Sequence, residues 1–336
     1  MPDATTLAPQ AAARMRCTRT VLAGFAFALG AGVFWGTTGP LSTALYSEGA
    51  NLTDVGFWRV LLAVLGFLAY AALHPSLLRF DARAWLLVGG LGGLFVALFE
   101  VAFQYAIAGV GVASAVALLY TAPVLVAILA RPLLGEALTR ARLITAGVVM
   151  VGVWLAVTGG ASHGGAAPTR LASRLGGVAG GLLAACSFAG STLIARWAVP
   201  RWGAVRVLLL ELLGGVLILA AALPIAGRTP VPPSSLAGWL YVLALGAGAV
   251  LAANFCYFAA VRRIDAAPTA VGASIEPVVG ALLALALFGQ RLTEWGWLGL
   301  ALVVGGVAGG YALERNLSLP DVEESKGHEP FDSSSH

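Results

Sequence analysis

Hydrophobic runs dominate the chain, and polar residues punctuate them rather than alternate with them. A membrane-spanning helix needs about 20 mostly apolar residues. Ten stretches answer to that description, at about 21–46, 54–73, 84–108, 112–131, 142–159, 174–198, 204–223, 236–260, 267–288 and 295–313. None shows the period of two that a transmembrane barrel strand requires. Stop and turn signals separate them: His74-Pro75-Ser76, Gly109-Val110-Gly111, Gly227-Arg228-Thr229-Pro230 and Arg262-Arg263-Ile264-Asp265. Gly135 and Gly289 suit helix ends, and Thr139 and Thr293 suit the N-caps that follow. The pattern predicts an all-α integral membrane protein with ten transmembrane helices.

A block of this pattern recurs at an offset of 154 residues. Phe34-Trp35-Gly36-Thr37-Thr38 returns as Phe188-Ala189-Gly190-Ser191-Thr192, and Pro123…Gly135-Glu136-Ala137-Leu138-Thr139 as Pro277…Gly289-Gln290-Arg291-Leu292-Thr293. Ala106/Ala260, Ala113/Ala267, Ala127/Ala281 and Gly152/Gly306 keep the same register. One unit has been doubled. Five spans per copy, an odd number, set the two copies in opposite orientations, a construction used by secondary transporters. The first copy is expected over residues 21–158 and the second over 174–313, with a Gly/Ala/Ser-rich linker at 159–173 carrying Pro168. Residues 1–20 read as a cytoplasmic N-terminal tail. Residues 314–336 read as a polar, disordered, cytoplasmic C-terminal tail.

Composition agrees. Only 11% of the 336 residues are charged, against about 25% in soluble domains. The basic residues are arginines apart from Lys326. With the N-terminus in the cytoplasm, fifteen basic residues fall inside, four fall outside (Arg170, Arg174, Arg228 and Arg291), and Arg59 lies within a span. That bias places both termini in the cytoplasm of a cell with an inner membrane. It reads as an orientation signal, and no nucleic-acid partner is expected. Arg14-Met15-Arg16 before an apolar run resembles a signal-peptide start, but the run is too long for a cleaved h-region. Cys17, Cys186 and Cys256 lie far apart in sequence and suggest neither a disulfide framework nor a metal site.

Several chemistries lack their residues. There is no G-x-x-x-x-G-K-[ST] loop and no H-E-x-x-H. The run Gly89-Gly90-Leu91-Gly92-Gly93 lies inside an apolar span, where small residues serve helix packing. An enzyme would need clustered catalytic groups at one interface. His74 and His163 instead sit in loops on opposite faces. No enzyme, cofactor or metal is expected. Energy must come from a gradient of substrate or ions.

The candidates for function are the ionisable groups at membrane depth, which are costly there and tend to face a cavity. Glu276 sits about nine residues into its span, about 14 Å deep, directly before Pro277, which removes a backbone hydrogen bond and bends the helix. The first copy keeps the proline as Pro123 but has Ala122 where the charge would be, with Tyr120 and Thr121 just before. A carboxylate held between helices is the structural alternative. Glu100 lies with Gln104 one turn later on the same face, and its counterpart in the second copy is Asn254. Glu100 and Asn254 read either as a pseudo-symmetric cavity lining or as interhelical hydrogen bonds. Arg59 and Glu211 lie about one turn from their span ends and are expected to snorkel, with an ion pair between them as the alternative. In the first span Gly39 and Pro40 loosen the helix, where Thr37 and Thr38 can bond freed backbone groups. Ser187 and Ser191 lie in the matching part of the sixth span. Trp35, Tyr105, Tyr120 and Tyr257 are candidate aromatic lining, joined by Ser274 beside Glu276. Gly39, Pro40, Pro123 and Pro277 are the candidate hinges.

On these residues each half resembles an EamA domain of the drug/metabolite transporter superfamily. The resemblance rests on Phe34-Trp35-Gly36, on Pro123…Leu134-Gly135-Glu136-Ala137-Leu138-Thr139, and on Ser274-Ile275-Glu276-Pro277…Phe288-Gly289-Gln290-Arg291-Leu292-Thr293, and it covers about residues 20–313. It implies two inverted five-helix repeats around a central cavity. It also implies a carrier of small metabolites, often an exporter of amino acids or related compounds, in some cases exchanging them for protons. A broad-specificity drug or cation efflux transporter is the other implied function. Gln290 departs from the glutamate usual in the family. If that glutamate caps a helix end, glutamine will serve; if it bears charge on the route, the outer mouth differs here. Substrate identity and the choice between monomer and homodimer stay open.

Overall fold

The computed structural model describes residues 4–134, 140–159, 171–264 and 266–317. Among them, every regular element is helical. The turn residues Gly135 and Thr139, most of the linker and the chain beyond residue 317 lie outside the described residues.

Each of the ten apolar stretches is helical, in one piece or several. The first is α1 (Ala4–Gly36) followed by α2 (Thr38–Ser47). Helix α1 already begins at Ala4, so the segment expected as a tail continues the first helix. Helix α3 is Leu52–Ala72. The third stretch joins α4 (Ala82–Ala84), a π-helical segment Trp85–Gly92 and α5 (Gly93–Val110). Next come α6 (Val112–Leu119), α7 (Ala122–Leu134) and α8 (Arg140–Thr158). The second half holds α9 (Leu171–Trp202), which starts inside the expected linker, and α10 (Ala204–Ile225). Then come α11 (Leu236–Leu243), a π-helical segment Ala244–Ala252 and α12 (Ala253–Val261). Helices α13 (Ala266–Ala273), α14 (Glu276–Phe288) and α15 (Glu294–Leu317) complete it. Seven of these helical runs are long and apolar enough to cross a membrane, and Val112–Val126 and Leu143–Thr158 are shorter apolar helices.

The two halves interlock. Helix α1 lies against α12, and α5 lies along α9; exchanging the halves turns the first pairing into the second. Helix α3 packs on α10 and α8 on α15, and each of these two pairings maps onto itself; α6 also packs on α14. The α3–α10 seam carries the largest apolar cluster, with Val60, Val64 and Phe67 against Leu209, Val216 and Leu219. The repeat register also sets turns. Gly49 and Gly203, 154 residues apart, both take positive φ, at 88° and 82°, a conformation open to glycine without steric cost. Gly289 closes α14 in the left-handed conformation, and the Thr293 hydroxyl accepts from Gly296 N–H at 3.2 Å, as the helix-end signals predict.

Glycines allow helices to touch backbone to backbone. A Cβ built on Gly214 would lie 1.8 Å from the Gly89 carbonyl oxygen, which no relaxation of a side chain can relieve. Gly214→Ala is therefore expected to abolish the yield of monodisperse protein in detergent. Gly147→Ala, where no atom lies within 4 Å, should leave that yield unchanged. Equal yields for both variants would contradict the packing described.

Candidate functional site

The two proline positions break their helices at the same register. Between α6 and α7 the helix is interrupted at Tyr120 and Thr121, and between α13 and α14 at Ser274 and Ile275. The interruptions lie 154 residues apart, each just before its proline. A proline at position 123 or 277 cannot donate to the carbonyl four residues earlier. Local bonds fill part of the gap: Thr121 Oγ1 donates to the Leu118 carbonyl at 2.8 Å, and Ser274 Oγ donates to the Val271 carbonyl at 2.7 Å. The first stretch breaks too, at Thr37, whose hydroxyl donates to the Phe34 carbonyl at 2.6 Å. Thr38, Gly39 and Pro40 are buried just beyond it. The matching part of α9 is unbroken, so this loosening belongs to one half alone.

The broken helices meet around Glu276. The Tyr120 hydroxyl donates to Glu276 Oε2 at 3.5 Å, a long contact across the two halves. Helix α1 approaches from the other side: a Cβ on Gly36 would lie 2.9 Å from the Glu276 carbonyl oxygen. Trp35, next to Gly36, packs its ring on Tyr257 of α12, with centroids 5.5 Å apart. Both rings are half-buried, as are Tyr120 and Glu276, so the cluster keeps partial exposure. Tyr120 thus meets Glu276, while Trp35 and Tyr257 pack on each other next to Gly36. Asn254 does not join it by a side-chain bond; its Nδ2 donates to the Val250 carbonyl on its own helix at 2.7 Å. Ser187 is buried in α9, and Ser274 is occupied by its own turn.

Glu100 has a different partner from the one its repeat position suggests. It forms a two-pronged ion pair with Arg59, one prong at 2.9 Å from Nη2 to Oε1 and the other from Nε to Oε2. Arg59 is 4% exposed and Glu100 3%, so neither snorkels. The Arg59 guanidinium also lies 5.8 Å from the Phe99 ring centroid. Gln104, one turn along, accepts from the Tyr46 hydroxyl at 2.5 Å. Sequence reasoning passed over Tyr46. Its spacing of four from Ser42, on one helix face, was the only available signal. Glu211 does not pair with Arg59 either; its Oε2 accepts from the Ser191 hydroxyl at 3.0 Å.

A partly open cavity of about 110 Å³ lies at the helix ends, lined by Glu48, Asn51, Asp54, Trp58, Val231 and Ser235 among others. Ser235 donates to Glu48 at 2.9 Å across its mouth. The Gln290 substitution finds a structural answer: its Oε1 faces the Val112 N–H at 3.5 Å, at the start of α6, where the helix has unsatisfied donors. A neutral carbonyl oxygen suffices for that contact. Among the described residues, no three His, Cys, Asp or Glu side chains gather as a metal site would require.

Among the described residues, a helical, glycine-packed membrane fold with proline-broken helices meeting at a half-buried carboxylate defines a polytopic membrane protein of carrier type. Residues 22–158 and 175–310 each match the EamA-like transporter family, and the chain belongs to that family, within the drug/metabolite transporter superfamily. It is 26% identical over 286 residues to the uncharacterized transporter YwfM of Bacillus subtilis (strain 168), covering 84% of this chain and 91% of the relative. A solved crystal structure is similar over 90% of this chain and 99% of its own, with a TM-score of 0.60 at 21% identity. That likeness concerns the fold alone.

Proposed function

We propose that the protein exports amino acids or related small metabolites across the plasma (inner) membrane by alternating access. In this proposal ten helices cross the bilayer as two inverted five-helix repeats, with both termini cytoplasmic. Pairings that exchange when the halves are exchanged support the pseudo-symmetry. The arginine bias supports the orientation. The observation that carries the function is the pair of helix breaks at Tyr120-Thr121 and Ser274-Ile275 beside Glu276. Discontinuous helices at mid-depth are where such carriers hold substrate, because freed backbone groups and a carboxylate can share a solvated site. A cationic or zwitterionic substrate fits Glu276 flanked by Trp35, Tyr120 and Tyr257, since a cation gains from both the charge and the aromatic faces.

The same aromatic–carboxylate set favours a second reading, a broad-specificity drug or cation efflux transporter. The two separate in one experiment. Extracellular metabolites are profiled for cells that express the protein and cells that do not, and growth is scored against excess amino acids and against cationic drugs. A raised extracellular amino acid with matching tolerance supports export of metabolites. Drug tolerance alone supports efflux. No difference in either assay would reject both.

A further inference from the structure

Glu211 is a buried charge that the substrate site leaves unused. It lies seven residues into α10, about 11 Å along the helix axis. The residue is 4% exposed. Ser191 donates to Oε2, while Oε1 is buried with no hydrogen-bond partner. The wall beside Oε1 is Gly92, at the end of the first π-helical segment. A Cβ there would lie 3.0 Å from Oε1 and 2.9 Å from Cγ, so the missing side chain makes the space the carboxyl occupies. Helices α3, α5 and α9 also pack against α10.

The charged groups on those elements are engaged elsewhere or set apart. Arg59 and Glu100 hold each other. Arg83 of α4 and Arg201 of α9 stack on Trp197, at 5.3 Å and 4.3 Å from its ring centroid. Asp54 of α3 accepts from Asn51 at 3.2 Å. Arg196 and Arg206 each lie five residues away along the chain, from Ser191 and Glu211 respectively. Cys186 lies five residues before Ser191, and Tyr70, Tyr105 and Arg174 lie farther along their helices.

An ionised carboxylate buried without a cation costs several kcal/mol. One carboxylate and one hydroxyl supply too few oxygens for a hard metal ion, which takes about six or more. A proton needs only Oε1. We propose that Glu211 is a proton-binding site of this transporter, loaded in the conformation described. A proton adds to Oε1 and leaves a neutral carboxylic acid, with the Ser191 hydroxyl still donating to Oε2. Ser191, the carboxyl's partner, is half-exposed. Separation of α9 from α10 would admit water and release the proton. In this form the site deepens the transport reading, and its use in transport rests on that reading.

The test is direct and needs no substrate. Infrared difference spectra of the full chain in nanodiscs, recorded between about pH 5 and about pH 9, should show a protonated-carboxyl C=O band. Glu211→Gln should remove it. Glu211→Asp and Glu276→Gln should keep it, and Ser191→Ala should move it to higher frequency as the hydrogen bond is lost. A spectrum unchanged by Glu211→Gln would overturn the proposal, as would a band removed only by Glu276→Gln. If the export assays fail while this band behaves as expected, the transport reading falls and the proton site stands.

Discussion

Arg59→Met is expected to destabilise the protein by about 3–5 kcal/mol, because it strands a buried charge. Glu100 is 3% exposed and has both oxygens on the guanidinium. Without Arg59 its charge has no counterion at membrane depth, and the guanidinium's contact with the Phe99 ring is lost as well. The double variant Arg59→Met/Glu100→Met should recover most of the loss, since apolar residues of similar size often replace a buried pair at little cost. Denaturant unfolding of the purified protein in mixed micelles gives the comparison. A single variant as stable as the parent, or a double variant no better than the single, would contradict a pair whose partners depend on each other.

Glu276→Gln is expected to lower transport about tenfold or more, equivalent to about 1.4 kcal/mol or more of barrier. Glutamine keeps the shape and can still meet Tyr120, so folding should survive while the charge is lost. Tyr120→Phe should cost less, within about tenfold: its contact is 3.5 Å long, and interhelical hydrogen bonds contribute only about 1 kcal/mol. Proteoliposome flux, measured with the metabolite found in the export profile, decides. Parental flux and an unchanged pH dependence in Glu276→Gln would remove Glu276 from the mechanism. Unlike the loss expected for Arg59→Met, this one should leave the unfolding midpoint in place, so the two variants distinguish a structural from a functional charge.

Much of the candidate site was legible because proline and glycine act locally. Pro123 and Pro277 each remove a backbone donor, and a helix break falls just before both; Pro132, Pro200 and Pro224 sit inside continuous helices, so proline marked candidate breaks and packing decided among them. Gly289 and Thr293, which also act locally, worked as helix-end signals. The charges were less legible. Arg59 and Glu100 are 41 residues apart in sequence, and the repeat offset pointed Glu100 towards Asn254 instead. Boundary distance suggested that Arg59 and Glu211 would snorkel, yet both are buried, because α3 and α10 press their faces together across the two halves.

The sequence by itself determined the helical membrane class and the duplication, and marked candidate places for helices to yield. These follow from hydrophobic length, a fixed offset and the chemistry of proline, none of which depends on which helices become neighbours. Only the tertiary structure decided which charges are neutralised. Coulomb attraction and hydrogen bonding act over a few ångströms, and that proximity is set by packing between helices remote in the chain. Packing gave Glu100 its arginine, gave Glu276 a tyrosine from the other half, and left Glu211 with one serine and an unpaired oxygen.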